Sequence, residues 1–266
     1  GFASLYRNVG EMRNRGIELA VNYDVVRNRL LTWTIGGNLA YNKNEITDLG
    51  QVTEYVLGTS IVREGLPYGS HFIPRWGGVD AATGAALYYT KDGKLTNVYS
   101  DDDAVADFGT YDAPFIGGFN TSVRIKGFEL AAFFTFQSGF SRFNNQDFLQ
   151  LNHAFALQGY NLRREMLTMW TQPGDVTDLQ NPLTQREFSS KDIQDASYLR
   201  FRNLTASYTL PRSIIGKQKY ISNVRIFGQA QNLYTWTKWT GFDPEDSNNI
   251  ASYEYPLPRI YTFGID

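Results

Sequence analysis

The feature that most constrains this chain is a repeated alternation of apolar and polar residues. Between 31 and 41, apolar side chains and one glycine occupy the odd positions, and polar or small residues occupy the even ones. Because successive side chains of a β-strand point to opposite faces, this pattern predicts a strand with one apolar and one polar face. The same alternation predicts seven strands, with Phe133 as an apolar exception on the polar side, at about 13–25, 29–42, 113–126, 128–140, 196–210, 222–236 and 254–266.

The connections between these predicted strands alternate strictly between short and long. The links at 26–28, 127 and 211–221 are short or moderate, and those at 43–112, 141–195 and 237–253 are long. Outer-membrane barrels have short periplasmic turns and longer extracellular loops, and their strands need about 9–11 residues to cross the bilayer. The pattern therefore favours an all-β fold, an antiparallel transmembrane β-barrel with long extracellular loops. Seven strands are fewer than a closed bacterial barrel needs, so we expect further strands to precede this segment.

The composition limits the alternatives to this interpretation. A net charge of −2 gives no basic field that would favour nucleic acid, and the absence of cysteine excludes disulfides and thiolate metal sites. The mean hydropathy of −0.36 is low, but alternation keeps the hydropathy of barrel strands low as well. Two alternatives stay open: a soluble all-β carbohydrate-binding or hydrolase domain, and a passive porin or adhesin barrel.

Several segments are similar to the motifs of one protein family. Residues 195–211 read DASYLRFRNLTASYTLP, and residues 231–234 and 240–245 read QNLY and TGFDPE. These segments resemble strand and loop motifs of the SusC/RagA group of TonB-dependent transporters. Further similar segments follow the order of the family, at 8–18, 63–69, 169–175 and 255–264.

The resemblance implies a Gram-negative outer-membrane barrel of about 22 strands, with an N-terminal plug and a TonB box. It also implies import of glycans or peptides, energised through TonB–ExbB–ExbD, with a SusD/RagB-like surface lipoprotein as partner. We expect residues 1–266 to form the C-terminal part of the barrel, in contact with outer-membrane lipid, with the plug and TonB box outside this chain. We expect no enzyme activity and no cofactor.

The candidate functional residues are those that could bind a solute, because no catalytic motif is present. The two histidines have no partner at a fixed spacing, and the acidic clusters at 101–107 and 243–246 do not fit a calcium-binding loop, so we expect solvated acidic loops there. For the second cluster, the family resemblance implies instead a structural turn at 241–245, just after a strand end. Arg200 and Arg202 are expected to bond to the plug or to line the lumen. Aromatic and polar side chains in the long loops could contact a solute or simply pack the loops: Tyr68, His71, Phe72, Arg75, Trp76, Phe143, Asn144, Asn145 and His153.

Overall fold

The computed structural model describes residues 10–216, 221–246 and 248–266. Within these ranges the chain forms mainly strands, with two short helices, α1 (Asn145–Gln150) and α2 (Arg212–Ile215), and four 3₁₀ segments of three to six residues. No helix in the described ranges has the length and apolar character needed to cross a membrane. The strands, numbered in chain order, are β1 (Glu11–Arg27), β2 (Leu31–Asp48), β3 (Glu54–Leu57), β4 (Ser60–Arg63), β5 (Ser70–His71), β6 (Ile73–Val79), β7 (Ala86–Tyr89), β8 (Leu95–Thr96), β9 (Ala104–Val105), β10 (Phe115–Ile125), β11 (Phe128–Ser138), β12 (Ser141–Asn144), β13 (Ile193–Asp195), β14 (Tyr198–Thr209), β15 (Arg225–Thr237), β16 (Ile250–Ala251) and β17 (Ile260–Ile265).

One large sheet contains the seven predicted strands, in the order β1-β2-β10-β11-β14-β15-β17. This order follows the chain, and every neighbouring pair is antiparallel. The predicted all-β antiparallel fold is therefore confirmed. Because the strands run up and down in turn, the short connections lie at one end of the sheet, the short-turn end. Three long connections lie at the other end, and we name them loop A (49–114), loop B (139–197) and loop C (238–259).

The strand boundaries differ most from the predicted ones in two places, by six residues each. Strand β2 continues to Asp48, six residues beyond the predicted end, because β1 extends alongside it and keeps it paired. Strand β17 begins only at Ile260, although the pattern predicted a start at 254. Pro256 and Pro258 lie in 254–259, where the pattern predicted a strand and the structure has none, because proline has no N–H to donate to a sheet. Asn8 and Val9, which belong to the first family-like segment, lie outside the described residues.

One face of the large sheet, the apolar face, is covered with hydrophobic side chains that nothing in the described structure buries. Trp33, Ile35 and Leu39 of β2 are 39 %, 40 % and 39 % exposed. Register extends this face across neighbouring strands, and the rings of Phe119, Phe134 and Phe201 stack on it in turn, at centroid distances of 4.6 and 4.5 Å. A soluble monomer rarely exposes so large a contiguous apolar surface.

The opposite face, the polar face, carries amides, hydroxyls and charges. The side-chain oxygens of Asn22 and Asn120 lie 2.4 and 2.7 Å from where a Cβ on Gly36 would stand, so the two amides fill the space over this glycine. In the pairing with β11, a β-bulge in β14 places Arg202 as an extra residue between Phe201 and Asn203, whereas in the pairing with β15 the extra residue lies in β15. The bulge directs the Arg202 side chain to the polar face beside that of Arg200.

The buried core lies at the long-loop end, because a single sheet buries neither of its faces. Loop A forms two small sheets, β3-β4-β5 and β8-β7-β6-β9, and loops B and C share a third, β13-β12-β16. The turn at 91–94 joins β7 to β8, and Gly93 has a φ of +79° there. One hydrophobic cluster joins loops B and C to the end of β14, through Phe140, Ala196, Tyr198, Trp239 and Ala251.

Candidate functional site

The three long loops form one connected assembly. The Ser141 amide of loop B donates to the carbonyl of Thr110 in loop A at 3.0 Å. Strand β16 of loop C pairs in parallel with β12 of loop B, and the Asn249 amide donates to the Ser60 hydroxyl of loop A at 2.9 Å. Each loop therefore holds the other two in place.

A buried ion pair stabilises the interior of loop B. The Arg186 guanidinium donates two hydrogen bonds to the Asp192 carboxylate, both at 2.8 Å, and both side chains are buried. The Ser189 amide also donates to Asp192, and the Arg186 guanidinium lies 4.8 Å from the centroid of the Phe148 ring. These contacts satisfy both Asp192 oxygens and the two terminal nitrogens of Arg186, whereas the Arg186 Nε is buried without a hydrogen-bond partner.

A second buried arginine joins loops B and C. Arg142 donates to the Asp246 carboxylate at 2.6 Å and to the Asn248 carbonyl at 2.8 Å. Its guanidinium lies over the ring of Trp239, 5.2 Å from the centroid. Desolvation raises the pKa of Asp246, but hydrogen bonds with the Asn248 amide and the Glu254 side chain, together with the Arg142 charge, hold this pKa below its usual range.

Ion pairs also anchor loop C to the polar face of the large sheet. They join two of the segments that resemble the family motifs, 195–211 and 240–245. Arg200 donates to Asp243 at 2.5 Å, and Arg202 donates to both carboxylate oxygens of Glu245 at 2.6 and 2.7 Å. The expectation that 243–246 is a solvated acidic loop is therefore wrong, since Asp243 is buried and ion-paired. Arg200 and Arg202 do lie on the polar face, but within the described chain they bond to loop C.

Three of the predicted solute-binding residues are buried inside the loop assembly. His71 has no exposed surface, and its Nε2 lies 2.9 Å from the Ser141 carbonyl oxygen. Burial lowers the pKa of His71 below its ordinary value of 6.5, and the hydrogen bond to Ser141 partly opposes this effect. Phe143 is buried on β12, and Asn144 caps α1 by accepting a hydrogen bond from the Asp147 amide. Their contacts stabilise the loops.

The other predicted residues lie closer to the surface and are spread over the assembly rather than gathered in one pocket. Tyr68 is exposed and packs edge-on against Tyr111. The remaining residues lie partly buried in separate places: Phe72 under the Arg63 guanidinium, Arg75 in an ion pair with Asp107, Trp76 donating to Asp178, Asn145 bonded to Ser252, and His153 at the start of a 3₁₀ turn.

A cavity that the sequence did not reveal lies where the polar face meets the loops. It has a volume of about 380 Å³, and its lining includes Tyr111, Asp112, Gln137 and Glu245. Burial and the neighbouring Tyr68 raise the pKa of Tyr111 to about 12, so its hydroxyl stays protonated and can donate a hydrogen bond. The alternation places Gln137 on the polar face at the loop end of β11, and this was the indication of the cavity that the sequence contained.

Comparison with known proteins decides the family. The chain is 28 % identical to TonB-dependent receptor P3 of Formosa agariphila, over 100 % of the chain and 30 % of that protein. It is 24 % identical to TonB-dependent receptor SusC of Bacteroides thetaiotaomicron, over 99 % of the chain and 27 % of that protein. A chain in the structure of the RagAB peptide transporter superposes with a TM-score of 0.92 and 31 % identity, over 99 % of this chain and 30 % of that one.

This chain belongs to the SusC/RagA group of TonB-dependent receptors. The same region also matches the RagAB importer in its "open-open" state, with a TM-score of 0.91. No protein-family model matches the chain. The chain spans about 30 % of the length of the SusC/RagA relatives it matches, so its sheet and loops correspond to one part of those receptors.

Proposed function

We propose that this SusC/RagA segment forms wall strands and outer loops of a TonB-energised importer of nutrient oligomers in the Gram-negative outer membrane. The observation that carries the proposal is the large sheet, whose apolar face is unburied and whose long loops all lie at one end. Six of its seven strands have 11 to 18 residues, enough for the 9–11 that cross a bilayer at a tilt. Residues 1–266 belong to the C-terminal part of the barrel, and the plug and TonB box lie outside this chain.

In this arrangement, each face of the sheet has its own role. The apolar face contacts lipid, and the polar face contacts the lumen or the plug. The long loops lie outside the cell, where a SusD/RagB-like lipoprotein covers them as a partner. TonB–ExbB–ExbD supplies the energy through a segment of the whole protein that is not in this chain.

The solute, a glycan or a peptide, would contact the cavity where the polar face meets the loops, and also the exposed edge of the loop assembly. Tyr111, Asp112 and Gln137 offer hydrogen-bonding groups in the cavity, and Tyr68 offers an accessible ring. Phe72, Arg75, Trp76, Asn145 and His153 are secondary candidates, since each is only partly accessible. His71, Phe143 and Asn144 would act indirectly by holding the loops that carry these groups.

The decisive experiment uses the full-length protein in its native host. Deleting the gene should abolish growth on one class of oligosaccharide or peptide, and restoring it should return growth only when TonB is active. A matched pair of variants tests the cavity: Asp112→Asn should reduce uptake, whereas Asp102→Asn, at an exposed position of loop A, should not. Uptake that does not depend on TonB would favour the passive porin, and folding of the protein in water without detergent would favour the soluble domain.

A further inference from the structure

The apolar face carries a groove formed across β1, β2, β10 and β11. Its volume is about 260 Å³, and its side walls are hydrophobic: Leu19, Val21, Leu39, Phe119 and Phe136. The floor is open because Gly37 has no side chain between Val21 and Phe119, its partners in register on the two flanking strands. Apart from Asn38, which the alternation assigns to the polar face, the lining residues are apolar or glycine, so the groove presents an apolar surface to whatever lies against this face.

Aromatic residues bound the groove along the strands. Towards the long loops, the rings of Tyr41 and Phe115 pack together at 4.8 Å. Towards the short turns, Trp33 donates its indole N–H to Thr121 at 3.0 Å. Eight residues separate Tyr41 from Trp33, which is roughly 26 Å along a strand, or about 20 Å of height at a barrel tilt. This spacing approaches the apolar band of about 25 Å between the aromatic girdles of outer-membrane barrels.

Two cations lie on the same side of the sheet, just beyond the aromatic row nearest the loops. Arg15 and Lys43 face each other in register, one row beyond Ile17 and Tyr41. Like charges directly opposite on neighbouring strands repel each other. Within the described residues neither cation forms an ion pair with a carboxylate, because Glu45 pairs with Arg13 in the next row at 3.0 Å. An anion placed between Arg15 and Lys43 would relieve the repulsion.

We propose that this surface binds one phosphorylated, acylated lipid of the outer leaflet. An acyl chain lies in the groove over Gly37, and the phosphate lies between Arg15 and Lys43. The inference rests on the proposed function, which turns the apolar face to lipid and the loops outward. The groove is formed by four strands of this chain, and the outside of a barrel wall is not covered by the rest of its own chain.

The test uses the full-length protein purified in detergent, with native mass spectrometry to count bound lipid A. The variant Arg15→Gln/Lys43→Gln should bind lipid A about 30-fold more weakly, since each cation near a lipid surface contributes about fivefold. The control Arg29→Gln/Lys126→Gln removes two exposed cations at the short-turn end and should leave binding unchanged. Dephosphorylated lipid A should bind as weakly to the unaltered protein, and inorganic phosphate should not displace lipid A.

Several results would overturn the lipid site. The first two are that no lipid is found on the unaltered protein, or that both double variants bind lipid A equally. The others are that inorganic phosphate displaces lipid A, or that a second copy of the chain covers Leu39 in place of lipid. Two further measurements separate the two proposals: the β-sheet content of the purified proteins, and TonB-dependent uptake by cells that produce the same variants. A protein that folds and imports but retains no lipid refutes the lipid site alone, whereas a protein that folds without detergent refutes the proposed function.

Discussion

The buried Arg186–Asp192 pair offers a sharp test of how loop B is held together. The two side chains are 0 % and 1 % exposed, and two hydrogen bonds of 2.8 Å join them. The substitution Asp192→Asn keeps the size of the side chain but leaves a buried guanidinium without its counter-charge. Removing one partner of such a pair costs about 3–5 kcal/mol, which raises the local opening equilibrium by about two to four orders of magnitude.

Hydrogen exchange of the backbone amides at 180–195, measured by mass spectrometry on the full-length protein, would report this opening. Asp195→Asn is the matched control, because the Asp195 and Lys238 side chains are 47 % and 86 % exposed and their pair should contribute less than about 1 kcal/mol. The double variant Arg186→Met/Asp192→Leu should exchange nearly as slowly as the unaltered loop, since it leaves no buried charge. Equal exchange in Asp192→Asn and Asp195→Asn would refute the reasoning.

Two further predictions follow from the loop and wall contacts. Because burial lowers the pKa of His71, the unfolded chain binds more protons near pH 6, and protease resistance of the loop assembly should fall as the pH drops below about 6.5. His71→Gln should flatten that profile, and an unchanged profile would contradict the assignment. On the wall, Ile35→Arg should cost about 2–4 kcal/mol in a refolding titration into lipid, whereas Thr34→Arg, beside Asp24 on the polar face, should cost far less. Equal costs would show that the two faces are not chemically distinct.

The large sheet was mostly predictable from the sequence, because the alternation within each strand indicates which side chains lie on the apolar face and which on the polar face. The alternation in 31–41 predicted β2, and the exposed Trp33, Ile35 and Leu39 confirm which face is apolar. Phe133 breaks the alternation, yet register places it between Asn120 and Asn203 on the polar face. The predicted antiparallel barrel pattern holds at both kinds of connection, since the three short links and the three long loops each join neighbouring strands of the sheet.

The loop assembly was not predictable, because its contacts join residues far apart in the chain with no periodic signal. The pairing of β12 with β16 joins residues about a hundred positions apart through only two register pairs. Asp243 looked like part of a solvated acidic loop until the structure placed Arg200 against it. His71 and Phe143 looked like solute-binding groups because histidines and aromatic rings in loops often are, but here the neighbouring loops bury them.

The extra residue in β14 has a consequence for how such barrels vary. Leu199 and Phe201 on one side of Arg202, and Leu204 and Ala206 on the other, belong to the apolar face, and Arg202 is the extra residue of β14 relative to β11. Deleting Arg202 would restore the register between β14 and β11 and leave the other β14 side chains on their present faces. The protein would lose the Arg202 hydrogen bonds to Thr135, Asn232 and Glu245, while Arg200 would remain 3.5 Å from Glu245. A single-codon insertion or deletion could thus strengthen or weaken the attachment of loop C without altering the apolar face.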